Sequence, residues 1–177
     1  MPRNFFVTGR PKSGKTTLIR KVVEELKEMG LRVGGFVTPE EKEHGTRTGF
    51  HVQDLESGKV AVLAVAGGGG PRVGKYGVDV KSFEGIALPV MERFKEYDVI
   101  VVDEIGRMEL ESAGFADALE EILNSKTPLI AALHRDFVER YGPFGEVFTL
   151  TMDNHEAVYK ELVERVKKAW APKGKKK

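Results

Sequence analysis

Residues 9–16 read GRPKSGKT, which fits the phosphate-loop pattern G-x-x-x-x-G-K-[ST] and constrains the fold more than any other segment of the chain. An apolar stretch at residues 4–8 precedes the loop and is typical of a parallel strand covered on both faces. From Lys15 onward, apolar residues recur at helical spacing as far as Met29. A strand, a glycine-rich loop and a helix in this order are the context in which the pattern binds phosphate.

The loop has a physical means of holding a polyphosphate. Its glycines permit a backbone in which successive N–H groups point inward, and the following helix adds the positive end of its dipole. The pattern places Lys15 to reach the β- and γ-phosphates and the Thr16 hydroxyl to ligate Mg²⁺. The predicted nucleotide-binding residues are Gly9, Arg10, Pro11, Lys12, Ser13, Gly14, Lys15, Thr16 and Thr17.

Residues 98–104, DVIVVDE, form a second candidate element, in which four β-branched residues precede a pair of acids. The pattern resembles a Walker B strand, so Asp103 is predicted to hold Mg²⁺ together with Thr16. Glu104 is predicted to accept a hydrogen bond from water and orient it in line with the γ-phosphate, which favours hydrolysis.

Positive charge for the transition state is predicted to come from Arg107, three residues beyond Glu104, with Lys15 completing the catalytic set. An arginine this close to two acids is also suited to neutralising them. Other basic residues that could supply the charge are Arg10, Arg72, Lys75 and Arg135.

Strands that alternate with helical segments predict an α/β domain whose mainly parallel sheet carries helices on both faces. Residues 31–80 depart from this rhythm and are predicted to be a β-rich insertion of antiparallel hairpins, ending in one strand over 72–80. Ser82 is predicted to cap a helix that runs towards Tyr97 and is kinked by Pro89. Residues 1–170 are predicted to form one domain, and residues 171–177 a disordered basic tail.

Composition narrows the classes of function. The 177 residues include no cysteine, which excludes disulfides, thiolate zinc sites, iron–sulfur clusters and cysteine nucleophiles. No apolar run approaches the roughly 20 residues that span a bilayer, so we expect no membrane partner and a cytoplasmic location. Without residues 167–177, which hold six lysines, the chain has 22 basic and 27 acidic residues, and this balance argues against a nucleic-acid partner. The sequence leaves the oligomeric state open.

The chain resembles the THEP-type nucleoside-triphosphatases, a family that includes the cancer-related nucleoside-triphosphatase. The resemblance rests on FVTG at residues 6–9 with the loop that follows, GFVT at 35–38, RVGKY at 72–76 and most specifically DEIGRMEL at 103–110. It implies a three-layer P-loop NTPase fold with a RecA-like sheet. It also implies Mg²⁺-dependent hydrolysis of ATP, GTP, CTP and UTP to the nucleoside diphosphate and phosphate, with broad tolerance of the base.

Other classes of function stay open at this point. A nucleotide or small-molecule kinase would use residues 135–141 as a short lid and the hairpins of residues 31–80 as an acceptor site. A nucleotide-binding adaptor would bind the triphosphate tightly with negligible turnover. A nucleic-acid motor fragment would use the lysine tail and would be stimulated by DNA or RNA.

Overall fold

The computed structural model describes the backbone of residues 3–174 and the side chains of residues 3–170. Residues 175–177 of the predicted basic tail, and the side chains of residues 171–174, lie outside this description. Within it, the strands are β1 (Asn4–Thr8), β2 (Val33–Val37), β3 (Glu40–Glu43), β4 (Thr46–Asp54), β5 (Val60–Ala66), β6 (Arg72–Val73), β7 (Tyr76–Val78), β8 (Val99–Ile105), β9 (Leu129–Leu133) and β10 (Glu146–Thr149). The helices are α1 (Lys15–Glu28), α2 (Val80–Glu92), α3 (Ala113–Leu123), α4 (Val138–Tyr141) and α5 (His155–Gly174).

The strands form one mixed sheet in the order β10-β1-β9-β8-β2-β4-β5-β7-β6, with β3 paired to β4. The first five strands in this order run parallel to one another. From β4 onward the pairing is antiparallel, so the hairpins extend one edge of the sheet. The result is the predicted α/β fold with a mostly parallel central sheet.

Two buried clusters, one on each face of the sheet, make up the core. Phe6 belongs to one cluster, while its chain neighbours Phe5 and Val7 belong to the other, because successive side chains of a strand point to opposite faces. The apolar stripes of α2 and α3 cover one face, and those of α1 and α5 cover the other. The central parallel strands β1, β9, β8 and β2 are therefore almost entirely buried, whereas β10 at the edge is partly exposed.

The sequence predicts a single strand over residues 72–80, and this prediction is wrong. The segment forms the hairpin β6–β7, which turns at Gly74 with a positive φ of 59°. Asp79, rather than Ser82, caps the following helix, because its side chain accepts a hydrogen bond from the Ser82 backbone N–H at 3.1 Å. Helix α2 contains Pro89 and ends at Glu92.

The strand β3 has no counterpart in the sequence prediction. Its four residues are all charged and all exposed, so they show no apolar alternation. Pairing with β4 alone makes it a strand. Among residues 3–174, no helix combines the length and the apolar character needed to cross a bilayer.

Candidate active site

The phosphate loop connects β1 to α1 at the carboxyl end of the parallel strands, which is where ligands of such sheets bind. Gly9 and Gly14 have φ values of 152° and 91°, and Lys12 also has a positive φ, of 66°. A Cβ atom at Gly9 would lie only 2.7 Å from the carbonyl oxygen of Leu150, so the site excludes any larger residue. Packing as well as loop conformation therefore requires the first glycine of the motif.

Lys15 folds back over the loop from the first turn of α1. Its Nζ donates hydrogen bonds to the carbonyl oxygens of Gly9 at 3.3 Å and Arg10 at 3.5 Å. The ammonium group therefore lies at the mouth of the loop, where it can neutralise a bound polyphosphate. Ser13, only 7% exposed, has a hydroxyl with no hydrogen-bond partner in the described part of the chain, so this group is available to a ligand.

Asp103 and Glu104 lie in β8, at the same end of the sheet as the loop. The register between β8 and β9 shifts between Val102 and Ile105, so both acids sit in an irregular part of the ladder. Strand β9 separates β8 from β1. At a strand spacing of about 4.8 Å, the two carboxyl ends are about 10 Å apart. Side chains from the two strand ends can therefore approach one another across the end of β9.

The environment of Asp103 suits a metal ligand. Burial raises the pKa of its carboxyl to about 6, against a hydrogen-bonding interaction with Thr16 and the positive charges of Arg20 and Lys15. Its Oδ2 atom is buried and has no hydrogen-bond partner among the described residues. A buried carboxylate with an unused oxygen, facing a threonine hydroxyl, is a donor set that fits Mg²⁺. Thr16 and Asp103, the two predicted ligands, therefore face each other.

Glu104 combines partial burial with an elevated pKa. Burial, followed by the charge of neighbouring Asp103, raises the pKa of its carboxyl to about 7, and the ammonium of Lys15 opposes that rise. A carboxylate with a pKa near neutrality is a better proton acceptor than an exposed one. This pKa makes Glu104 a candidate general base.

A third acid, Glu109, lies against this pair and was missed by the sequence reasoning. A Cβ atom at Gly106 would be 3.0 Å from Oε1 of Glu109 and 3.1 Å from Oε1 of Glu104, so the two oxygens are at most about 6 Å apart. Burial, and then the charge of Glu104, raises the pKa of Glu109 well above its usual range. The available signal was its place in the DEIGRMEL motif, but composition alone does not show that this side chain turns inward.

Thr38, directly after β2, interacts with two of the acidic residues. Its hydroxyl donates a hydrogen bond to the carbonyl oxygen of Asp103 at 2.9 Å and also interacts with the Glu109 carboxyl. The interaction with Thr38 opposes the rise in the pKa of Glu109, but burial and the charge of Glu104 have the larger effect.

Replacement of Glu109 by Gln is expected to flatten the pH dependence of stability. Folding raises this pKa above the ordinary 4.5. As pH rises above 4.5, the unfolded chain therefore loses this proton while the folded chain still holds it. Each such proton makes the free energy of unfolding fall by about 1.4 kcal/mol per pH unit. Urea denaturation at pH 5.5, 6.5 and 7.5 should show that the Gln variant lacks this contribution and is more stable than the wild type at pH 7.5.

Exposed Glu111 provides the matched control for this measurement. Its replacement by Gln should leave the slope of stability against pH as it is in the wild type. An unchanged slope in the Glu109→Gln protein would contradict the protonated state of Glu109.

Arg107 forms its ion pair with a residue other than the acids of β8. It forms an ion pair with Asp136, in the turn after β9, and its side chain is 62% exposed. It lines a cleft of about 330 Å³ together with Arg72 of the β6–β7 hairpin and the ring of Phe137. The structure thus brings two of the candidate arginines to one cleft.

His134 follows β9 and caps the next turn. Its Nδ1 accepts a hydrogen bond from the backbone N–H of Asp136 at 3.1 Å. Burial lowers its pKa, Asp136 opposes this effect, and the charges of Arg107, Lys15 and Arg135 lower it further.

Comparison with known proteins places the chain among nucleotide hydrolases. Residues 4–163 match a family model described as NTPase. The chain is 39% identical over 163 residues to nucleoside-triphosphatase THEP1 of Methanocaldococcus jannaschii, covering 92% of this chain and 96% of that protein. It is 41% identical over 165 residues to nucleoside-triphosphatase THEP1 of Pyrococcus abyssi, covering 93% of this chain and 92% of that protein.

Two solved structures share the fold. The crystal structure of THEP1 from the hyperthermophile Aquifex aeolicus superimposes with a TM-score of 0.80 at 30% identity, covering 92% of this chain and 98% of that one. The solution structure of a human cancer-related nucleoside triphosphatase superimposes with a TM-score of 0.79 at 36% identity, covering 94% and 98% of the two chains. These similarities extend over nearly the whole length of the proteins compared.

Proposed function

The chain belongs to the family of THEP1 nucleoside-triphosphatases, and from that premise we propose that it hydrolyses ATP, GTP, CTP and UTP, with Mg²⁺ as its metal. The products are the nucleoside diphosphate and inorganic phosphate. The observation that carries the proposal is geometric: the phosphate loop follows β1, and Asp103 and Glu104 lie in β8 at the same end of the parallel strands. The interaction of Asp103 with Thr16 of the loop supports a common site for the loop and the acids.

In the proposed site, Thr16 and Asp103 hold the metal, which neutralises charge on the β- and γ-phosphates when bound. The backbone N–H groups of the loop and the ammonium of Lys15 hold the phosphate oxygens. The Ser13 hydroxyl, which is buried and has no partner in the described part of the chain, adds one more donor to the loop. These groups orient the γ-phosphorus towards Glu104.

Glu104 is the proposed general base. A water molecule attacks the γ-phosphorus and its proton passes to the Glu104 carboxylate, while the bond from phosphorus to the bridging β–γ oxygen breaks. The nucleoside diphosphate leaves with that oxygen, and Glu104 returns its proton to solvent. Burial raises the pKa of Glu109, which disfavours a further negative charge beside Asp103 and Glu104.

Arg107 keeps its proposed role as a source of transition-state charge. To reach a phosphate it must leave Asp136, and the exposure of its side chain allows this movement. Since Arg107 and Arg72 line the same cleft, either guanidinium can approach from that side. Comparing turnover in Arg107→Ala and Arg72→Ala separates the two.

The function is tested by phosphate release from ATP, GTP, CTP and UTP, with Mg²⁺ and with the metal removed by EDTA. Release from all four nucleotides at comparable rates, lost on chelation, is expected. Without an arginine supplied by a partner, turnover of about 10⁻⁴ to 10⁻² per second is typical of phosphate-loop hydrolases, so single-turnover conditions are appropriate.

The outcomes separate the alternative functions. Phosphate transfer to an added acceptor in excess of release to water would indicate a kinase. Saturable nucleotide binding without release would indicate an adaptor. Release from one nucleotide only would contradict the broad tolerance of the base.

A further inference from the structure

The topology of the sheet determines which way a bound triphosphate runs, if the proposed function holds. Strand β1, which leads into the phosphate loop, has β9 and β8 on one side and β10 on the other. In the proposed function the γ-phosphate lies beside Glu104 and the metal that Thr16 and Asp103 would hold, so the terminal phosphate lies on the β9 side of the loop. The nucleoside end of the chain must then extend to the opposite side, where β10 ends.

The segment between β10 and α5, residues 150–154, contacts the phosphate loop at that side. The carbonyl oxygen of Leu150 would be 2.7 Å from a Cβ atom at Gly9. The ring of His155, the first residue of α5, is closer still: its Cε1 would be 2.5 Å from a Cβ atom at Gly14. This segment and the imidazole ring therefore form a wall that is continuous with the loop.

Internal hydrogen bonds hold the segment in shape. The backbone N–H of Thr151 donates to Asn154 Oδ1 at 2.8 Å, and Asn154 Nδ2 donates to the Thr149 carbonyl at 2.9 Å. The Thr151 hydroxyl accepts from the backbone N–H of Asp153 at 3.3 Å. The amide of Asn154, which could have read the edge of a base, is thus engaged in supporting the turn.

Met152 lies at the tip of this segment and is 81% exposed, more than the other exposed large apolar residues of the described chain. Met152 lies in the chain between Leu150 and His155, the two residues that approach the loop glycines, so its exposed side chain is available to a ligand of the loop. A thioether is flexible and polarisable, and it packs favourably against aromatic rings. A surface of this kind contacts the face of a purine or a pyrimidine without reading its hydrogen-bonding edge.

We propose that Met152 and His155 form the nucleoside subsite, in which the base lies on the Met152 thioether and the ribose lies beside the His155 imidazole. The inference rests on the proposed function for the direction of the phosphate chain. It gives broad tolerance of the base a physical origin, since every nucleobase presents an aromatic face.

The test compares binding of a nucleotide with binding of the same phosphates lacking a nucleoside. Calorimetry with Mg²⁺ measures the affinities of ADP, CDP and inorganic tripolyphosphate for the wild type and Met152→Ala. A sulfur–aromatic contact corresponds to a loss of roughly 3- to 10-fold in affinity. We expect that loss for both ADP and CDP, and unchanged affinity for tripolyphosphate.

Two further variants keep the result interpretable. Met152→Leu retains an apolar side chain and should bind ADP nearly as the wild type does. Val60→Ala removes another exposed apolar side chain, at the start of β5 in the hairpin region, and should leave all three affinities unchanged.

Unchanged ADP affinity in Met152→Ala would overturn the proposal. A parallel loss of tripolyphosphate affinity would also overturn it, because the segment would then act through the phosphate loop instead of contacting the nucleoside. Failure of the proposed hydrolysis would appear differently, as normal ADP binding without phosphate release.

Discussion

Replacement of Glu104 by Gln is expected to lower the turnover number by about 10²-fold or more and to leave Mg²⁺-nucleotide binding nearly intact. The amide has the size of the carboxylate but cannot accept the proton of the attacking water. Nucleotide affinity depends on the loop and on Lys15, which this substitution does not touch. Single-turnover phosphate release measures the chemical step, and calorimetry with ADP measures binding.

The pH profile adds a second readout for Glu104. The base must be ionised to act, and burial with neighbouring Asp103 raises its pKa to about 7. In the wild type, kcat/KM should therefore rise with pH through this region, and the Gln variant should lack that rise. Glu92→Gln, an exposed acid at the end of α2, is the control and should retain normal turnover. Normal turnover in Glu104→Gln would refute the assignment of the general base.

Replacement of Lys15 by Ala is expected to damage both binding and turnover, with a loss of roughly 10²-fold or more in kcat/KM. The ammonium lies at the mouth of the loop, 3.3 Å from the carbonyl oxygen of Gly9. Without it, the phosphates lose a charge partner in the ground state and in the transition state. The affinity for ADP and the single-turnover rate measure the two losses separately.

Lys15 also influences the acids of β8. Its charge opposes the rise in pKa at Asp103 and Glu104, so its removal should raise both pKa values further. The rise of kcat/KM with pH should consequently move to higher pH in Lys15→Ala. The control is Lys21→Ala on the same helix, where the lysine is exposed and pairs with Glu156 at 3.6 Å. A Lys15→Ala protein with wild-type affinity and rate would contradict the placement of the phosphate loop.

Local sequence patterns were sufficient to predict the strands, the loop and the helix that frame the candidate site. Residues 4–8, the glycine loop and the helix from Lys15 form the predicted strand, loop and helix, because each depends on interactions within a few residues. The apolar run of β8 predicted a buried strand, and the sheet confirms it. Since parallel strands end at a common edge, the neighbourhood of loop and acids could also be expected from sequence.

Three features near residues 40–82 were predicted wrongly or missed because neighbouring residues gave similar local signals or no signal at all. Both Asp79 and Ser82 are suitable caps, and only the hydrogen bond to the Ser82 backbone N–H identifies Asp79 as the cap. Residues 72–80 look like one strand because the turn at Gly74 interrupts them with only two residues between β6 and β7. The strand β3 carries no apolar signal and depends on its partner β4.

The sequence of this protein was sufficient to predict the groups that we propose to handle phosphate, because the loop, its lysine and the acids of β8 belong to locally determined elements. Tertiary structure alone decided which distant side chains join them. It turns Glu109 inward against Glu104, pairs Arg107 with Asp136, and sets His155 against Gly14. These contacts depend on the order of strands in the sheet and on the packing of segments far apart in the chain. Hydrophobic periodicity specifies which face of an element is buried, but it does not specify that element's neighbour.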